Sequence, residues 1–236
     1  ALNKGKRSIA IDRRRPEGRE LIQALATAPG PEAGVLLTNI GTPWLAHEVL
    51  AARRADMITC TIQGNGDGST AVDYTVNSST GYPMITGSGS AQHPVNHVLP
   101  AWDVACAYQA AFTIASAVDW RRRSGQGAEL KLALSDVAFT TLSHLGVLAE
   151  AEVLRQERPA VGNHIYGAFG RDFGTADGQR LMVAGISAGQ WKSLVAACGI
   201  AEQIAELQRR TGRDLSDEEQ RFEARDEIAA LMEQRH

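Results

Sequence analysis

No segment of the chain carries ~20 uninterrupted apolar residues, the length a membrane-spanning helix requires, so a membrane is not among the expected partners. The richest stretch, Val104 to Val118, is alanine-rich and broken by Tyr, Gln, Thr and Ser, and reads as a buried core helix. Cysteine is scarce. Cys60, Cys106 and Cys198 lie far apart, form no C-x-x-C pair and offer no disulfide framework, which points to a reducing, cytoplasmic compartment. The six histidines show no H-E-x-x-H spacing, and His93 and His97 fall in a Pro- and Gly-interrupted stretch. No metal site is therefore expected. An excess of one charge is also missing, with 24 Lys+Arg against 27 Asp+Glu. That balance excludes nucleic acid as the main partner, because no basic face is available to neutralise phosphates.

What is present is globular. The 236 residues are 44% hydrophobic and 22% charged, enough for one large domain or two small ones. Arg7 to Asp12 reads as a strand, and Pro16 then opens a helix over Glu17 to Ala26, with Leu21, Ile22 and Leu25 at helical spacing. Val35 to Leu37 and Met57 to Ile62 read as buried strands, separated by a short helix around His47 to Arg54. Strands alternating with helices predict a parallel sheet in an α/β fold. Ser78 to Pro100 reads as irregular. A long helix is expected from Trp102 to Arg123, ending in a basic triplet that suits the negative end of its dipole. Glu129 to Leu134 alternates as a strand, and Ser135-Asp136 opens a helix running to Leu154. The texture changes near Glu157, which places a boundary between residues 1–156 and 157–236. Gly162 to Gly178 reads as too glycine-rich for a regular element, Arg180 to Ile186 as a strand and Gln190 to Ala197 as a helix.

Three places could carry chemistry. Gly64-Asn65-Gly66-Asp67-Gly68 follows a strand, but its G-x-G-x-G spacing and the lack of a following helix depart from a dinucleotide fingerprint. Gly185-Ile186-Ser187-Ala188-Gly189 matches a hydrolase nucleophile elbow. Ser187 with Gln190 equally matches a helix capping box, and only His236 lies downstream as a base. Asp136 sits where a strand gives way to a helix, at the sheet edge where α/β folds gather ligands. It reads either as a helix N-cap or as a carboxylate nucleophile, ionised at neutral pH and needing no base.

Several segments together resemble the family III CoA-transferases, the formyl-CoA and carnitine CoA-transferase type. Asn3 to Asp12 followed by Pro16-Glu17-Gly18-Arg19 looks like that family's N-K-R-S-I-x-x-D…P-E-G-R segment, and Thr38-Asn39 fits a strand-end Asn. Ser124 to Asp136 looks like its T-G-x-G…S-l-x-D segment, whose final Asp is the nucleophile. Thr175-Ala176-Asp177-Gly178 with Trp191 fits a small-domain pattern. The segments Val72 to Asn77, Val95 to Asp103 and Tyr166 to Phe173 look like the subgroup that moves CoA between the two carboxyl groups of one five-carbon dicarboxylate.

The resemblance implies a Rossmann-like large domain followed by a smaller α+β domain. It implies Asp136 as catalytic nucleophile, with Lys6, Arg7, Asn39, Gln63 and Gly64 toward coenzyme A, and Gly162, Tyr166, Gly167 and Arg171 toward the acyl group and its oxyanion. Arg171 reads equally as a structural ion-pair partner. Coenzyme A would enter as part of the substrate, with no permanently bound cofactor, and the partners would be an acyl-CoA and a dicarboxylate. Family members are longer and form interlocked homodimers. The chain is thus expected to be a central piece, lacking an N-terminal strand–helix unit and a C-terminal return segment, and to expose apolar surface where these pack.

Overall fold

The computed structural model describes residues 3–87 and 93–233. The chain divides into two compact units, Ala1–Gly81 with His97–Gln156 and Tyr82–Asn96 with Glu157–His236.

The first unit is built on a three-stranded parallel sheet of β1 (Val35–Thr38), β2 (Ile58–Gln63) and β3 (Ala128–Ala133), ordered as in the sequence. Val35 pairs with Ile58 and Ile58 with Ala128. Parallel strands need crossovers, supplied by α2 (His47–Ala51) between β1 and β2 and by α3 (Asp73–Ser79) and α5 (Ala101–Ser124) before β3. The long helix α5 packs on β2 and β3. It buries Trp102, Cys106, Ala110 and Ala117, whereas Tyr108 and Phe112 on its other face are exposed. Gly125 ends it at φ 73°, the left-handed C-cap that glycine adopts without strain. Two residues on, Gly127 lets the turn pass against β2, because a Cβ there would lie 2.1 Å from the Met57 carbonyl oxygen.

The basic triplet does more than complement a dipole. Arg121 is buried, and its guanidinium donates to the carbonyls of Pro31, Ala33 and Gly34 in the loop before β1. Asp56 lies 3.8 Å away. One arginine therefore satisfies a run of backbone acceptors that would otherwise go unpaired.

Two sequence expectations fail in this unit. Arg7 to Asp12 is not a strand. Among the described residues it has no strand beside it, and Ile9 is exposed. Helix α1 (Pro16–Ala26) forms where Pro16 predicts, but Leu21 and Leu25 face solvent and Gln23 is buried instead, donating to the Trp44 carbonyl at 2.6 Å. The helix after β3 is two helices, α6 (Leu134–His144) and α7 (Val147–Leu154), which meet at a 64° bend. Gly146 at φ 75° takes the left-handed turn between them. The supposedly irregular stretch from Ser78 also contains α4 (Tyr82–Ile85), assigned to the second unit.

The second unit pairs β4 (Phe169–Gly174) antiparallel with β5 (Arg180–Gly185), Phe169 opposite Gly185. A strand thus occurs within the glycine-rich stretch. Gly170 serves a close approach, since a Cβ would strike the Ile165 side chain at 2.4 Å. Thr175 to Gly178 forms the hairpin turn, closed by Gly178 N–H to the Thr175 carbonyl. Helices α8 (Ala188–Cys198), α9 (Ala201–Thr211), α10 (Glu218–Glu223) and α11 (Arg225–Glu233) follow. Phe169, Trp191, Ile200, Leu215 and Ile228 form the core, with the Phe169 and Trp191 rings edge-on at 5.6 Å. Arg221 is fully buried in it and donates to the carbonyls of Ile186, Leu215 and Ser216. Its guanidinium lies over the Trp191 ring, and burial pushes its pKa down.

Among the described residues, no single helix is long and apolar enough to cross a membrane, and no group of three or more His, Cys, Asp or Glu could hold a metal ion.

Candidate active site

In the first unit a cleft of about 930 Å³ opens outside the carboxyl ends of β1 and β2, where ligands gather in open α/β sheets. Asn39, Gln63 and Gly64 all line it, together with Ser69, Ala71 and Asp103. Gly64 has a steric reason to be glycine, because the loop after β2 folds back so tightly that a Cβ would lie 2.1 Å from the Ala71 nitrogen. Gln63 turns into that loop and donates from Nε2 to the Gly66 carbonyl at 3.2 Å. Asn65 and Ser69 close it with backbone and side-chain bonds. Asp103 is held above the usual carboxylate range by desolvation and by neighbouring Asp73. Lys6 and Arg7 do not line the cleft. Both are exposed, and Lys6 Nζ donates to Asn3 Oδ1 at 3.2 Å.

Asp136 stands beside this loop. The Ser135 amide donates to the Gly64 carbonyl at 3.1 Å, which ties the start of α6 to a residue that lines the cleft, although Asp136 itself is not among the lining residues. Asp136 is the third residue of α6, not its cap, since Ala133 holds the N-cap position. Its side chain is exposed, and among the described residues no hydrogen bond or ion pair engages it. Both its oxygens lie close to Gly66, at 3.3 and 3.5 Å from where a Cβ would be. The first turn of a helix favours an anion through its aligned amides. The arrangement leaves an unpaired carboxylate at a strand end, and such a group can act as a nucleophile.

In the second unit a cleft of about 560 Å³ is lined by Gly162, His164, Arg171, Arg180, Arg225 and Asp226, among others. Gly162 and Arg171 come together here, but Tyr166 and Gly167 do not line the cleft. Tyr166 packs edge-on against Phe222 at 5.1 Å, with the Arg158 guanidinium 3.9 Å from its ring centre. Gly167 turns the chain at φ 76°. Arg171 lies 3.7 Å from Glu233 and donates from Nε to the Asp172 carbonyl. Asp172 accepts from Asn163 and Arg180, which hold its carboxyl below the usual range.

His164 escaped the sequence reading because a lone histidine has no diagnostic spacing. Its Nε2 lies 3.4 Å from Asp226, its buried Nδ1 has no hydrogen-bond partner among the described residues, and desolvation pushes its pKa down. Ser187 is committed elsewhere. Its Oγ accepts the Gln190 amide and Gln190 Oε1 accepts the Ser187 amide, so the capping box is formed. His236, the base that a hydrolase would require, lies outside the described residues.

A parallel sheet with a strand-end carboxylate and a glycine loop defines a fold class that comparison makes specific. The description "CoA-transferase family III" matches residues 1–236, and the chain belongs to that family. It is 46% identical over 233 residues to 2-methylfumaryl-CoA isomerase of Chloroflexus aurantiacus, covering 98% of this chain and 57% of that protein. It is 30% identical over 154 residues to succinate–glutarate CoA-transferase of Agrobacterium fabrum, covering 61% of this chain and 37% of that protein. The chain thus spans little more than half the length of the longer match. Among solved structures, a CaiB/BaiF family protein from Brucella suis superposes over 100% of this chain and 61% of its own, with TM-score 0.78 at 25% identity.

Proposed function

We propose that the complete protein moves CoA between carboxylates through a covalent intermediate at Asp136, and that donor and acceptor are the two carboxyl groups of one molecule of 2-methylfumarate. The observation that carries the covalent step is the exposed, unpaired Asp136 carboxylate tied to the cleft by the Ser135–Gly64 bond. The 46% identity to an isomerase of that substrate supports the intramolecular form. Asp136 attacks the thioester carbonyl. An O–C bond forms, the C–S bond breaks and CoA leaves as thiolate, giving a mixed anhydride. The thiolate then attacks the aspartyl carbon, forming a C–S bond and releasing the acid as a carboxylate. The other carboxylate end attacks the aspartyl thioester carbon, an O–C bond forming as the C–S bond breaks to give a second mixed anhydride, and the freed thiolate then attacks the acyl carbon and releases Asp136 as a carboxylate. Dividing the exchange into covalent steps lowers each barrier.

Coenzyme A enters as part of the substrate, with Asn39, Gln63 and Gly64 facing it. Lys6 and Arg7 are assigned to its phosphates, and Gly162, Tyr166, Gly167 and Arg171 to the acyl and oxyanion side, on the family resemblance alone. The reading extends to an interlocked homodimer in the cytoplasm. Hydroxylamine added during turnover of 2-methylfumaryl-CoA should leave a hydroxamate on the peptide containing Asp136. An unmodified peptide under turnover would refute the covalent step.

The similarity to an intermolecular transferase keeps a second reading in play, in which a free acid accepts CoA. Labelled free 2-methylfumarate supplied during turnover separates the two. Exclusion of label supports the isomerase, and ready uptake supports the transferase.

A further inference from the structure

Gly66 lies in the turn after β2, and its φ is outside the left-handed region, so backbone conformation does not call for glycine there. Space does. A Cβ built on Gly66 would lie 3.3 Å from Oδ2, 3.5 Å from Oδ1 and 3.8 Å from the carboxyl carbon of Asp136, and these are the three nearest atoms beyond Gly66 and its two chain neighbours. Both oxygens are nearer than the carbon. The point therefore lies in front of the oxygen pair, on the side from which an electrophile approaches, not above the carboxylate plane. A nucleophile and the carbon it attacks have to come within about 3–3.5 Å before bonding. A methyl group on residue 66 would occupy that shell.

We propose that Gly66 is a positioning residue for the covalent step. Its missing side chain keeps the approach to Asp136 open for the thioester carbonyl, and the Gln63 Nε2 bond to its carbonyl fixes the loop in that place. The inference rests on the reading of Asp136 as nucleophile. The step it serves is the one already balanced above, in which the Asp136 oxygen bonds to the carbonyl carbon as the C–S pair departs with CoA. The acyl group is thereby restricted to the side of Asp136 that faces the loop, so bulk at position 66 acts on the reacting end of the substrate and not on the CoA moiety.

The test is Gly66→Ala in the complete protein. Hydroxamate formation at Asp136 and kcat should both fall at least about tenfold, since sub-ångström misplacement of reacting groups is costly. KM for 2-methylfumaryl-CoA should move far less, because the lost approach matters only as the bond forms. A folded Gly66→Ala protein with unchanged kcat and unchanged trapping would overturn the proposal. A stability cycle tests the contact independently of activity. Gly66→Ala should be less favourable to the unfolding midpoint when Asp136 is present than in an Asp136→Ala background. An equal effect in both backgrounds would overturn it. If the unsubstituted protein forms no adduct at Asp136, the nucleophile reading falls and takes this role with it, while the stability coupling is still observed.

Discussion

Asp73 caps a helix that begins 28 residues later in the chain. Its Oδ2 accepts the amide of Trp102 at 2.8 Å and that of Asp103 at 3.1 Å, two donors in the first turn of α5. Pro100, at the N-cap position, supplies no side-chain bond. Asn77, one turn on from Asp73, accepts the Trp102 indole N–H at 3.1 Å. Two residues of α3 therefore fix the entry of the helix that supports the sheet.

Asp73→Ala should accordingly destabilise the first unit by about 2 kcal/mol, since the carboxylate is buried and its loss strands two donors. Urea unfolding measures this, and Asp73→Asn, which keeps one acceptor oxygen, should recover part of it.

Asp136→Asn should behave in the opposite way. The side chain is exposed and unbonded, so stability should stay within about 0.5 kcal/mol of the parent. Activity should fall on the order of 10³-fold or more, as removal of a covalent nucleophile does. Paired melting and turnover measurements on the complete protein check both halves.

Arg221→Met should cost the second unit about 2–4 kcal/mol. The apolar volume is kept, but the carbonyls of Ile186, Leu215 and Ser216 lose their shared donor. Leu215 is fully buried and cannot turn to water for compensation.

His164 should give the second unit a pH dependence. Burial depresses its folded pKa below the ordinary value of 6.5. The unfolded chain therefore binds a proton before the folded one does. Stability is at its plateau above pH ~6.5 and falls as pH drops below it toward the depressed value, by at most ~1.4 kcal/mol per pH unit. The melting temperature should follow that course between pH 7 and 5, and His164→Gln should flatten it.

The legible parts of the molecule were those with local rules. The bounds of α5 follow from a glycine at its C-cap and an apolar run, and the Ser187–Gln190 box from its spacing. The position of Asp136 at a strand end follows from the alternation in β3. What stayed hidden depends on distant partners. Nothing local tells Arg121 from the two arginines after it, yet it alone is buried against the loop before β1. Strand β4 is masked because Gly170 is chosen for the proximity of Ile165, a contact invisible to periodicity. The opposite error occurs at Arg7 to Asp12, where a strand-like pattern finds no neighbouring strand. His164 acquires its character wholly from the groups that surround it.

The bond from the Ser135 amide to the Gly64 carbonyl joins two segments that the sequence separates by a whole crossover. Its proton can exchange with solvent only when the loop lifts away from α6. The exchange rate at that one amide is therefore a clock for the opening of the site. A ligand seated in the cleft slows it, and the slowing can be followed without labelling the ligand or waiting for a turnover.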